Sequence, residues 1–291
     1  MALRRGTRKG IRTMRRATWL LVIAAAAASA AEVYRWTDAN GTVHFGDRPT
    51  AGAERIAGKT ESRGPDWREV EYVVDGDTVH LADGTKVRFI GLNTPEVAHR
   101  GRPAEPGGRK ARAFLRERLQ GEEVRLEYGA ERLDKYDRTL AHLFTRDGTN
   151  INRLLLDRGH AHAVVRPPNV KRAPDYFAVE AKAREAKRGI WALDRYRVHP
   201  VTEAARYRNT FRRLRGRVLG VTTGRYYTAL HFEGGVQARI GRDNMEYFEE
   251  AGLGFEALKQ WRGKDVTVRG WVHQRKGKPV VRTYHPLQVQ R

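Results

Sequence analysis

Residues 70–96 read VEYVVDGDTVHLADGTKVRFIGLNTPE, and this stretch decides the fold. Residues 70–74, 78–81 and 86–90 are rich in β-branched and aromatic side chains and are expected to be strands. Asp83-Gly84 marks the hairpin between the second and third. Gly76 permits a tight bend between the Asp75 and Asp77 carboxylates. Pro95 fixes its own φ and keeps Thr94 out of the helical region, so Asn93-Thr94-Pro95-Glu96 is a stiff loop whose oxygens can be aimed at one place.

Downstream, Gly107-Gly108 precedes a helix in which Ala111, Phe114, Leu115 and Leu119 share a face. Strands are expected over 123–128 and 140–145, with Asp147-Gly148 as a turn. Helices are expected over 151–158, stopped by Gly159, and over 175–188, stopped by Gly189. Strands first and helices after is an α+β order. Residues 97–108 (VAHRGRPAEPGG) read as a mobile loop beside the site, placed to fold over a substrate backbone.

Three segments flank this region. Residues 1–30 combine a basic start, the apolar run TWLLVIAAAAASA and a small-residue end, which reads as a secretory signal. The run is too short for a comfortable membrane span, and Met14 is a second candidate start. Residues 31–64 hold a β-hairpin pattern around Asp38-Ala39-Asn40-Gly41, followed by a polar linker over 50–64. The hairpin resembles a short exported module of unknown function. After the globular region 65–194 come a basic linker, 195–211, and a mostly β region, 212–291. The latter orders three strands (215–221, 226–232, 236–240), helical pattern over 247–260, and two strands (264–274, 279–284). That is the element order of an OB-fold barrel.

The 291 residues carry a net charge of +22, seven of it before Thr18, which leaves +15 for the remainder. Such a balance favours polyanion partners, either nucleic acid or an anionic membrane surface. The chain has no cysteine. Disulfides, thiolate metal sites and cysteine nucleophiles are excluded, and a hard, oxygen-ligated cation is the obvious inorganic option.

Read alone, each motif also has an ordinary meaning. Asp75-Gly76-Asp77-Thr78 is also an Asx turn or hairpin start, and Asn93-Thr94-Pro95-Glu96 is also a helix N-terminus. Arg88 and Arg138 are two arginines among many, and Asp134 and Asp137 are also plain salt-bridge partners. Together they gather oxygens and two guanidiniums, the set that suits a hard cation and a phosphodiester.

In order and spacing, Asp-Gly-Asp-Thr, Arg88, Asn-Thr-Pro-Glu, Asp134-Lys135-Tyr136-Asp137-Arg138 and Gly189-Ile190-Trp191 resemble the staphylococcal-nuclease-like (thermonuclease) family over residues 70–192. The resemblance implies a five-stranded OB-fold barrel with helices. It also implies hydrolysis of DNA and RNA phosphodiesters to 3′-phosphate ends. By position, Asp77, Asn93, the Thr94 carbonyl and Glu96 would surround Ca²⁺, with Mg²⁺ or Mn²⁺ as alternatives. Glu96 would activate water, and Arg88 and Arg138 would clamp the phosphate. Two features depart from the family pattern: Asn93 stands where an aspartate is usual, and Val164 and Val165 where tyrosines are. His160, His162 and Tyr176 lie nearby and are assigned no role.

Nucleic-acid contacts are expected from Lys135 and Tyr136, and from Arg225, Tyr226 and Arg275 in the tail, where aromatics alternate with positive charge. The expected protein is a periplasmic or secreted monomer that prefers single strands and is free of the membrane once its signal is removed. A non-catalytic nucleic-acid-binding protein and a cell-envelope scaffold are the competing readings.

Overall fold

The computed structural model describes the strands at 33–37, 43–46 and 54–57, and residues 66–98, 101 and 103–291. The expected signal, residues 1–30, lies outside them. The chain divides into two units, 1–64 and 65–291. In the first, β1 (Val33–Thr37), β2 (Val43–Gly46) and β3 (Glu54–Ala57) form an antiparallel sheet in the order β2-β1-β3. The expected hairpin is therefore present as β1–β2. The expected linker contributes a third strand, because Tyr34 and Arg35 pair with Arg55 and Glu54 across the far edge of β1.

The second unit opens with β4 (Trp67–Val73), β5 (Thr78–Leu81), β6 (Lys86–Phe89) and the short β7 (Leu92–Asn93). Then follow α1 (Gly108–Leu119), β8 (Glu123–Leu133) and β9 (Thr139–Thr145). Strands β4-β5-β6-β9-β8 close into a barrel in which only β6 and β9 are parallel. Alternation puts Val70, Val79, Leu81, Val87, Phe89, Val124 and Leu143 inside. Helix α2 (Ile151–Asp157), β10 (His162–Ala163) and α3 (Ala173–Glu185) cap this core with Ile151, Leu155, Tyr176 and Phe177.

Residues 195–211, whose charge reads as a linker, are ordered instead. They form short 3₁₀ turns and β11 (Val198–Pro200), which pairs in parallel with β12 (Phe211–Thr223). Tyr196, Val201 and Ala204 are buried among the surrounding arginines.

Next come β13 (Tyr227–Phe232), β14 (Gln237–Gly241), α4 (Met245–Glu250), α5 (Phe255–Lys259), β15 (Asp265–Arg275), β16 (Lys278–Thr283) and β17 (Val289–Gln290). The pairings β12–β13, β13–β14, β14–β16, β16–β15 and β15–β12 close a second barrel, again with the third and fifth strands parallel. The expected OB-type order is thus present twice.

The two barrels meet across an apolar cluster of Ala183, Ile190, Trp191, Tyr196 and Phe211. Beside it the Arg269 guanidinium of β15 forks onto the Glu180 carboxylate of α3 at 2.7 and 2.6 Å.

Candidate active site

The site forms at the end of the first barrel where β5 and β9 begin and β6 ends, with the short β7 just after it. Thr78 pairs with Arg88 and Arg88 with Leu140, so the residues just before β5 and β9 flank Arg88. Those residues are Asp77 and Arg138 respectively.

Asp77 is buried, and one of its two oxygens is fully engaged. Its Oδ2 accepts from the Thr94 backbone N–H at 2.8 Å and from the Thr94 hydroxyl at 3.0 Å. The Arg88 guanidinium stands 3.1 Å from the same oxygen. Arg88 also donates to Asn93 Oδ1 at 2.9 Å, and Asn93 Nδ2 donates to the Thr94 carbonyl at 2.8 Å. The structure therefore brings Asp77, Arg88, Asn93 and Thr94 into one network.

Glu96 follows at the exposed end of this loop. The loop is held by α1, whose first residue packs so closely that a Cβ on Gly108 would lie 2.4 Å from the Glu96 carbonyl oxygen. Burial, and then the Asp77 charge, raise the Glu96 carboxyl above its ordinary value. Asp75, whose Oδ1 accepts the Asp77 N–H at 2.9 Å, is pushed up to about 7 by burial and then by Asp77. Asp75 belongs to the motif but has no role assigned from sequence; the Asp-Gly-Asp spacing is the signal that marks it.

Arg138 is aimed by the turn before it. Asp134 Oδ1 accepts the N–H groups of Tyr136 and Arg138, and Asp134 Oδ2 accepts from Arg138 Nε at 2.8 Å. Asp137 takes a positive φ of 57° to close the turn. Lys135 and Tyr136 are exposed at its tip. Lys135 Nζ and the Arg138 guanidinium lie 4.8 and 5.6 Å from the Tyr136 ring centre.

Arg88, Asn93, Lys135, Tyr136 and Arg138 line a groove of about 600 Å³. Arg166 and Trp271, the latter from the second barrel, also line it, and nothing in the sequence marked Arg166. Arg225, Tyr226 and Arg275 lie away from this groove; Tyr226 and Arg275 line a separate depression on the second barrel, and Arg225 stacks on Tyr226. Of the loop 97–108, residues 99, 100 and 102 lie outside the described residues. Glu105 ties its later part down, by its N–H to the Glu96 carbonyl and by its carboxylate to Arg195 at 2.5 Å.

Among the described residues, no three acid or histidine side chains converge as a ready cation cage. The donor chemistry nonetheless suits a hard cation. Asp77, Asn93 and the Thr94 carbonyl offer oxygens, and the Asp75 and Glu96 carboxyls lie close enough to Asp77 that its charge adds to burial in raising both.

His160, His162 and Tyr176 serve packing. Tyr176 bonds His142 Nδ1 at 2.7 Å within the core, His160 lies against Phe114, and His162 stacks on Phe211 between the barrels.

The model of the family described as staphylococcal nuclease homologue matches residues 86–193. The matched span includes Arg88, Asn93, Glu96 and Arg138 and begins after Asp77. A domain of unknown function (DUF4124) matches residues 20–65. A thermonuclease of Staphylococcus intermedius is 37% identical over 135 residues, which cover 45% of this chain and 79% of that protein. A thermonuclease of Staphylococcus hyicus is 34% identical over 127 residues, covering 43% and 75%. An endonuclease of Bacillus subtilis is 33% identical over 134 residues, covering 42% of this chain and 11% of that protein.

Proposed function

Because this chain belongs to the staphylococcal nuclease homologue family and is a nuclease, we propose that it is an exported, Ca²⁺-dependent phosphodiesterase that cuts single-stranded DNA and RNA to 3′-phosphate ends. The observation that carries this reading is the single network joining Asp77, Arg88, Asn93 and Thr94, with Glu96 and Arg138 at its open side.

Asp77, Asn93 and the Thr94 carbonyl would hold the cation, with Glu96 beside them. When bound, Ca²⁺ supplies Lewis-acid stabilisation of negative charge on the phosphate. The chain supplies the rest. Glu96, raised by burial, takes the proton of the attacking water. Arg138, locked by Asp134, presents its fork to the equatorial oxygens of the phosphate as charge builds there. Arg88, now shared between Asp77 and Asn93, supplies the second fork. Tyr136 offers an exposed ring to a base flanking the cut. Export rests on the signal-like residues 1–30, and a monomer suffices because one chain holds the whole set.

Release of acid-soluble nucleotides from heat-denatured DNA, with and without excess EGTA, tests the reading. Activity is expected only with Ca²⁺ restored, and the product ends should need phosphatase before a polymerase extends them. Full activity in EGTA, or directly extendable ends, would contradict it.

A further inference from the structure

The groove beside Arg88 and Arg138 does not stop at the first barrel. Val164, Arg166 and Trp271 of its lining also line a narrow cleft of about 20 Å³ between the barrels. His273, Arg282 and Tyr284 line that cleft as well. These three in turn line a depression of about 240 Å³ that holds Tyr226, Tyr227, Arg239 and Arg275.

Cations and rings alternate along this line. The Arg166 guanidinium lies 5.9 Å from the Trp271 ring centre and 4.8 Å from that of Tyr284, and Arg239 lies 4.3 Å from that of Tyr227. Tyr226 is 71% exposed, with the Arg225 guanidinium 5.4 Å from its ring centre. Among the described residues lining the cleft and the depression there is no carboxylate. Carboxylates begin on the other side of Tyr227, where Glu246 and Glu249 line a different hollow. The positive field is also felt by His273, which burial and then Arg282, Arg275 and Arg166 hold below its ordinary value.

We propose that these three depressions form one track, and that it carries the single strand from the cleavage site across β15 and β16 of the second barrel. The inference rests on the nuclease reading for the direction of the track. Exposed rings suit unstacked bases, and arginines spaced among them suit the phosphates between. A duplex keeps its bases stacked and offers nothing to Tyr226 or Tyr284. An OB-type barrel takes roughly 4–16 nucleotides. The second barrel would therefore make this a nuclease that prefers long single strands, with Trp271 as the step between the cutting groove and the holding surface.

The test uses the full chain and the variant Tyr226→Ala/Arg275→Ala/Arg282→Ala, whose three positions are exposed. One arm compares kcat/KM on a 20-nucleotide oligo-dT with that on a trinucleotide. The ratio is expected to fall about tenfold or more, from one lost stacking platform and two lost phosphate contacts. The second arm measures binding of the same labelled 20-mer in EDTA across salt concentrations. Affinity should fall, and the salt slope should become shallower by about 1.4. A ratio and a slope both unchanged would overturn the track, as would an equal loss for a 20-base-pair duplex. If the wild type cleaves neither oligonucleotide, the nuclease reading fails, while the binding arm still decides the track.

Discussion

Arg269, in the second barrel, and Glu180, in the helix that caps the first, form a buried two-pronged ion pair at 2.7 and 2.6 Å. The same guanidinium donates to the Ala163 carbonyl, and the same carboxylate accepts from the Ala163 N–H and from Arg184. One residue of β10, beside the active-site strand β7, is thus held by a pair that spans both barrels. Removing one partner leaves a buried charge unmatched, at a cost of about 3–5 kcal/mol. Glu180→Ala is expected to lower the urea midpoint of both barrels together, followed by tryptophan fluorescence. Glu180→Ala/Arg269→Met should recover much of the loss. Equal stability of Glu180→Ala and wild type would remove the pair from the account.

A second expectation concerns acid. Burial, then Arg172, hold His142 down to about 4 from its ordinary 6.5, and its Nδ1 faces the Tyr176 hydroxyl. The unfolded chain protonates this histidine first as pH falls. Stability is therefore fully present above about 6.5 and is lost between there and about 4, by roughly 3 kcal/mol in all. His142→Gln should flatten the pH dependence of the urea midpoint in that window. A curve as steep as wild type would assign the acid sensitivity elsewhere.

What the sequence disclosed was what lies close along the chain. The hairpins of both barrels and the loop Asn93–Glu96 are set by glycine, proline and period-two alternation within a few residues, and the turn Asp134–Arg138 by the Asp134 carboxylate. What it concealed was long-range. Trp271 and Arg166 share a groove with Arg88 only because two barrels dock, and no local pattern announces docking. Residues 195–211 misled for a related reason: Tyr196, Val201 and Ala204 are buried on 3₁₀ turns, whose spacing matches neither strand nor α-helix, and arginines dominate the composition around them. Strand β3 was hidden by its polar neighbours.

Gly76 shows how tightly the first motif is packed. A Cβ there would lie 2.7 Å from both Ala111 Cβ and Thr94 Cγ2. Gly76→Ala must push Thr94 or α1 aside, and Thr94 carries both bonds to Asp77 Oδ2. The variant is expected to lose about 1–3 kcal/mol of stability and to need more Ca²⁺ for half-maximal activity. Unchanged values of both would show that the loop gives way freely.

In the proposed site Asn93 would offer the cation its amide oxygen, which here accepts from Arg88, while its nitrogen is engaged with the Thr94 carbonyl. Asn93→Asp replaces that donor with a second anionic oxygen. Ligand charge tunes Ca²⁺ affinity, so the variant should reach half-maximal activity at about tenfold lower Ca²⁺, read by calorimetry as well as by rate. Equal or weaker affinity would place Asn93 outside the coordination shell.

Glu96 is expected to move the proton of the attacking water, and single-turnover cleavage by Glu96→Gln in saturating Ca²⁺ decides whether it does. The chemical step should slow by at least ~10²-fold, with affinity for a single-stranded oligonucleotide within a few-fold of wild type. A rate within a few-fold of wild type would contradict it and leave the site without its base.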